Sequence, residues 1–154
     1  LTDEGLIAAL IQAGQRGVKI DLIVRGACTL PAQIPGHTDN IHVRSVIGRF
    51  LEHSRVFYFR CEGHDELYLS SADWMNRNML RRVEIAWPVT DPVLRQRIVD
   101  ECLVAYLHDT QDAWHLMPDG RYLSDRRSQP RESVRHSAQV ALMARYGEAA
   151  QRRT

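Results

Sequence analysis

Lysine is almost missing from this chain: Lys19 is the single one among 20 Lys and Arg residues, which face 19 Asp and Glu for a formal charge of +1. A balance so near zero gives no general attraction to nucleic acid or to an anionic membrane. Arginine, the cation that remains, is the better bidentate partner for phosphate and carboxylate, although a GC-rich coding sequence is enough to produce the bias. Cysteine is also scarce. Cys28, Cys61 and Cys102 are spaced too widely for a disulfide framework or a zinc site, and they read as reduced thiols of a cytosolic protein. No run approaches the ~18 apolar residues of a membrane-spanning helix. No basic stretch followed by a long apolar run marks a signal peptide. HExxH, His-x-His, Cys-x-x-Cys, the Walker loop and GxGxxG are all missing, so metal ligation by this chain alone is not expected. There is no internal repeat, low-complexity tract or interdomain linker.

What is there is ordinary for a globular chain. The 154 residues, 44% hydrophobic and 25% charged, suit one domain that buries roughly 70% of its unfolded surface. The first residue is Leu1, within a helix-like pattern, which suggests a piece of a longer chain. Leu6, Ile7, Leu10 and Ile11 form one helix stripe, with Thr2 or Asp3 as cap and Gly14 and Gly17 at its end. Val18 to Val24 is a β-branched strand, and helix followed by strand implies a parallel neighbour. Gly26 to Asp39 reads as a loop. Ile41 to Val46 alternates like a half-buried strand. Arg55–Arg60 and Glu66–Ser70 form a hairpin around Cys61–Asp65. Arg82 to Pro88 is a further strand. Asp91-Pro92 starts a helix reaching His108. Ala113–Met117 and Arg121–Leu123 flank a Pro118-Asp-Gly120 turn. Arg126 to Arg131 is a basic loop, and a last helix runs from Glu132 to Tyr146, ended by Gly147. The pattern is α/β, or α+β, with one mixed β-sheet flanked by helices.

Of the seven histidines, His37, His64 and His136 fall in loops or polar surroundings, His42 and His115 within strands, and His108 at a helix C-terminus. Each reads as structural or superficial. His53 differs because of its neighbours. It precedes a strand in His53-Ser-Arg55, and the next strand leads into Ser70-Ser71-Ala-Asp73. Two adjacent strands bring His53, Arg55 and the Ser71–Asp73 turn to one sheet edge. An imidazole beside a guanidinium and hydroxyls makes a phosphate site: Arg neutralises phosphoryl oxygens, hydroxyls donate to them, and His exchanges a proton or attacks near neutral pH. A surface His beside a surface Arg has the same spacing. Arg25 ends a strand and enters a loop, where ligands of parallel sheets collect. Arg77, Arg81 and Arg82 extend the basic surface or form a solvated cluster.

His53-x-Arg55 followed by Ser70-Ser71-x-Asp73 resembles a degenerate phospholipase D half-motif, with Arg55 in place of Lys, Arg60 where an Asp stands, and Ser70 and Asp73 in place of Gly and Asn. A narrower resemblance covers essentially the whole chain. Asp21-Leu-Ile-Val-Arg25-Gly26, the block from Val43 to Arg55, Ser71-Ala-Asp-Trp-Met75, Arg77-Asn78, Arg82-Val-Glu84, the turn from Pro118 to Tyr122 and Ala141-Leu-Met143 look like the C-terminal region of bacterial polyphosphate kinase, type 1.

That resemblance implies a single phospholipase D-like domain over residues 1–154, part of a multidomain enzyme in which two such domains form the active site. It implies reversible transfer of the ATP γ-phosphate to inorganic polyphosphate, with Mg²⁺, through a phosphohistidine on the other domain. The magnesium-linked arginines lie on that domain too, so no metal ligand is expected here. By the resemblance Arg25, His53 and Arg82 face nucleotide phosphates, and His53 is a second active-site histidine serving as general acid. Arg55, Ser71 and Asp73 support them, Asp73 by orienting His53 or an arginine. The implied partners are ATP or ADP, polyphosphate and the remaining domains, in a homo-oligomeric parent that is cytoplasmic or peripheral at the inner membrane. The fragment alone is expected to be inactive. Two other readings stay open: a single-motif phosphodiesterase or nuclease acting as a dimer, and a non-catalytic polyphosphate-binding module.

Overall fold

A computed structural model of the chain describes residues 1–128 and 134–151. It opens on α1 (Glu4–Gln15), capped by Asp3, whose carboxylate accepts the Leu6 N–H at 3.0 Å and so satisfies one of the first-turn donors that a helix leaves unpaired. β1 (Ile20–Ile23) and β2 (Ile41–Val46) come next, paired in parallel from Ile20 against Ile41. β3 (Val56–Cys61) and β4 (His64–Ser70) form the hairpin. After them stand α2 (Asn76–Arg81), which no pattern in the sequence announces, and β5 (Ala86–Pro88). α3 (Pro92–Ile98) passes through a π-helical stretch, Val99–Val104, into α4 (Ala105–Leu107). β6 (Ala113–Leu116), β7 (Tyr122–Ser124), α5 (Asp125–Ser128) and α6 (Ala138–Gln151) complete the chain.

The mixed α/β class holds, but the expected single sheet is two. One has four strands in the order β1-β2-β6-β7, with β6 antiparallel to both neighbours; the other has three, β3-β4-β5, all antiparallel. The pleat of β2 shows why helices cover both faces of the larger sheet. Ile41 and Val43 point to one side, where they join Ile20, Leu30, Ala32 and Leu116 under Ile7, Leu10 and Ile11 of α1. Val46 points to the other, against Tyr106, Ala113 and Ala138. Arg44, also on that second side, donates to the carbonyls of Tyr106 and Leu107 at the end of α4, pinning the helix where packing alone would let it slide.

Several elements differ from expectation. The hairpin turn is shorter than Cys61–Asp65: only Glu62 and Gly63 lie outside the ladder, both with positive φ (49° and 85°). Paired positive φ values give the turn whose twist matches the strands. The strand expected from Arg82 starts only at Ala86, because its partner β4 ends at Ser70 and the preceding residues bend around Ser71. The 91–108 helix has its Asp91 cap, but the π-helical stretch rotates the residues after it relative to those before. The last helix begins at Ala138, not Glu132, and runs through Gly147 to Gln151. Ahead of it the His136 carbonyl accepts from Thr110 and Gln111, and the His136 N–H donates to the Thr110 hydroxyl, so this segment is held as a partner of the 110–111 loop. Of the expected basic loop, 126–128 are helical, within Asp125–Ser128; 129–131, and with them 132 and 133 at the expected start of the last helix, fall outside the described residues.

Candidate functional site

The β3–β4 hairpin brings the start of β3 beside the end of β4, where the Ser70 N–H donates to the Arg55 carbonyl at 3.0 Å. The Ser71–Trp74 loop leaves the sheet there. It is anchored by Trp74, whose ring lies 5.0 Å from that of Phe57 and whose carbonyl accepts the Thr2 and Asp3 N–H groups. Asp73 is thereby aimed at Arg55: both Nε and Nη2 lie 3.1 Å from Oδ1. Arg25 arrives from the end of β1 and places Nη2 3.6 Å from the other Asp73 oxygen. Its Nη1 donates to the Glu52 carbonyl at 2.8 Å. His53, next in the chain, has its Nδ1 2.9 Å and Nε2 3.2 Å from Arg55 Nη1. Residues from three separate segments of the sequence thus meet in one cluster.

A guanidinium has only donors, so the contact with Arg55 is a hydrogen bond only through a His53 ring nitrogen that is free to accept. Burial opposes ionisation of Asp73 and is the largest single influence on it. The Arg55 hydrogen bond and the charges of Arg55, Arg25 and His53 outweigh burial together, and hold the carboxyl below its ordinary value. Asp73 is therefore an anion that fixes two guanidiniums with their remaining N–H groups turned elsewhere.

Ser71 and Arg82 lie on the margin. The Ser71 hydroxyl donates to Glu84 and accepts the Ile85 N–H at 3.1 Å. Glu84 also accepts from Asn78 Nδ2 at 2.6 Å. Those two hydrogen bonds, Ser71 first, lower the Glu84 carboxyl, and Arg82 and Arg55 add to the effect by their charge. Arg82 itself is exposed at the end of α2. Among the described residues no hydrogen bond joins it to His53, Arg55 or Asp73. The sum is an edge where the guanidiniums of Arg25 and Arg55 meet the Asp73 carboxylate and the charges of Arg82 and Arg55 act on Glu84.

Sequence reasoning brought His53, Arg55, Ser71 and Asp73 to one edge and added Arg25. It missed Glu52, whose only signal is adjacency to His53, and the Ser71–Glu84–Asn78 link. Asn78, buried on α2 with its Oδ1 unpartnered, belongs to the Arg77-Asn78 motif of the resemblance, which gave it no role. Among the described residues no group of three or more His, Cys, Asp or Glu side chains converges as a metal site, and the three cysteines are free thiols.

Comparison with known proteins places the chain in a family. The family described as "Polyphosphate kinase C-terminal domain 2" matches residues 1–139. Polyphosphate kinases of Burkholderia multivorans and Paraburkholderia phytofirmans are each 49% identical over 146 residues, which is 95% of this chain and 21% of theirs. The crystal structure of polyphosphate kinase from Porphyromonas gingivalis superposes with a TM-score of 0.87 at 37% identity, over 100% of this chain and 23% of that one. The chain thus spans about a fifth of the length of the relatives it matches. Matched over nearly all its residues and in its fold, this chain belongs to the polyphosphate kinase family, in the part described as C-terminal domain 2.

Proposed function

We propose that this chain is one phospholipase D-like domain of a polyphosphate kinase, and that it supplies nucleotide-phosphate contacts and a proton-transferring histidine to the reversible transfer of phosphate between ATP and polyphosphate. The observation that carries the proposal is the convergence of Arg25, His53, Arg55 and Asp73. In this reading the bond between the γ-phosphorus of ATP and its bridging oxygen breaks. The phosphoryl group passes to a histidine nitrogen outside these residues, and the bridging oxygen stays with ADP. His53, protonated, donates to that leaving oxygen and takes the proton back in the reverse direction. Arg25 and Arg82 neutralise phosphate charge, which is most of what a protein contributes to phosphoryl transfer. Arg55 pairs with Asp73 and His53 in the structure, and an arriving polyanion competes for its N–H groups. Asp73 keeps Arg55 and Arg25 in register, and Ser71 ties the Asp73 loop to Glu84.

Mg²⁺ belongs to the proposed reaction but fits no residues here. Asp73 is committed to two guanidiniums and Glu84 to Ser71 and Asn78, so we assign its ligands to the other domains of the enzyme. No helix among the described residues is long and apolar enough to cross a membrane. We place the enzyme in the cytoplasm, as a homo-oligomer whose other domains complete the site and with no nucleic-acid partner.

The test is made in the full-length enzyme carrying this chain. His53→Ala lowers kcat for ATP-dependent polyphosphate synthesis by about 10²–10⁴-fold, the usual worth of a general acid, while circular dichroism is unchanged. Near-full activity in that variant overturns the role. Arg25→Ala raises KM for ATP or lowers turnover; unchanged constants remove it from the site.

A further inference from the structure

The segment that carries His53 is not held in place by its own apolar side chains. Phe50 and Leu51 are 52% and 78% exposed, and the residues from Ile47 to Arg55, between β2 and β3, have no ladder of their own. Polar contacts from two distant helices fix it. Gln139, buried at the start of α6, treats Phe50 as a strand would: its Oε1 accepts the Phe50 N–H at 2.9 Å and its Nε2 donates to the Phe50 carbonyl at 2.8 Å. The same Nε2 donates to Glu52 Oε1. The Tyr106 hydroxyl, from α4, donates to that same oxygen at 2.9 Å. Glu52 is therefore held by its carboxylate from behind, while its carbonyl accepts from Arg25 in front.

Gly48 gives this arrangement a second, independent support. Its φ lies outside the left-handed region, so the backbone does not require glycine there. A Cβ at that position would stand 2.5 Å from Gln139 Oε1 and 2.8 Å from its Cδ, and Gln139 is too firmly bonded to give way freely. The glycine makes room for the amide. These groups form the polar side of an open hollow of about 430 Å³ whose other lining includes Leu142, Met143 and Tyr146. Apolar neighbours of that kind strengthen the hydrogen bonds they border.

We infer that Gln139 and Tyr106 are positioning residues that act through Glu52 to set His53 and Arg25 against the substrate phosphates, with Gly48 as the space that admits them. The inference rests on the proposed role of His53. Reacting groups tolerate little displacement: a shift of about 1 Å can cost on the order of 10²-fold in rate.

The experiment uses Tyr106→Phe, Gln139→Met and Gly48→Ala in the full-length enzyme, with ATP and polyphosphate as substrates and His53→Ala as reference. It is paired with NMR signals of the His53 ring in the same full-length enzyme, labelled at histidine. The expected result is folded variants whose kcat falls about 10-fold or more at saturating ATP, with altered His53 ring shifts. A loss of thermal stability with kcat and ring shifts unchanged means a merely structural clamp and overturns the inference. Tyr106→Phe deletes a single hydroxyl, so it decides the matter if Gln139→Met does not fold. If His53→Ala retains activity, the functional reading fails, and the ring shifts alone then decide whether Gln139 and Tyr106 position His53.

Discussion

Asp73 sets the electrostatics of the cluster, and its effect has a definite pH sign. Its carboxyl titrates below the ordinary value in the folded protein. Its ion pairs therefore add stability above about pH 4, the unfolded value, and lose it as pH falls through the lower folded value. Urea unfolding of the chain and of Asp73→Asn from pH 6 to pH 2.5 should show a gap in midpoint that closes at the acid end. A gap independent of pH would mean that the Arg55 and Arg25 contacts do not stabilise the fold. Arg55→Lys belongs to the same scale. An ammonium cannot place two donors on Asp73 and a third on His53 as this guanidinium does, so the variant should lose polyphosphate synthesis despite its conserved charge. Equal activity would show that only the charge matters.

At the scale of elements, ends are decided by single side chains. Asp91 and Asp3 were legible as caps because an Asp before an apolar stripe is a local signal. Asp109 was not. It is fully buried (0% exposed), its Oδ1 accepts the Gln111 and Asp112 N–H groups, and its Oδ2 accepts the N–H of Ala138, opening α6 across a gap no local pattern spans. Asp109→Ala leaves the Asp112 and Ala138 N–H groups unpaired, while Gln111 keeps the His136 carbonyl, and should destabilise by roughly 2–4 kcal/mol, given ~1–3 kcal/mol for a buried group left unsatisfied; denaturant unfolding measures it. The π-helical stretch is likewise invisible to a periodicity argument. It turns Glu101 inward, where Arg97, Arg145 and Tyr146 meet it, although an unbroken helix fits the same apolar positions.

Across the whole molecule the two sheets are unequal. β1, β2 and β6 supply Ile20, Ile41, Val43, Val46, Ala113 and Leu116 to the buried core, whereas the strands of the smaller sheet contribute Leu67. Regions with few buried apolar contacts open at lower free energy than the core. Native-state hydrogen exchange should therefore find the β2 and β6 amides protected to the global limit and those of β3 to β5 released by a smaller opening. Identical protection in both sheets would show one cooperative unit. On the same flank Leu80, Val83, Ile85 and Trp87 stand exposed, Val83 to 99%.

The sequence alone determined what depends on near neighbours. Helix stripes, the parallel β1–β2 pair, both hairpins and the Asp91 cap come from periodicity and turn chemistry, and His53-x-Arg55 with Ser71-x-Asp73 comes from the strand register that joins them. The resemblance of the Val43–His53 block placed the chain in its family on the same local terms. Only the tertiary structure decided the rest: that the strands split into two sheets, that Arg25 shares Asp73 with Arg55, that Ser71 turns to Glu84, and that Gln139 and Tyr106 hold the His53 segment from behind. Each of these joins residues far apart in the chain through a hydrogen bond or an ion pair. Such bonds are set by where whole elements pack, and that packing leaves no periodic trace in the sequence.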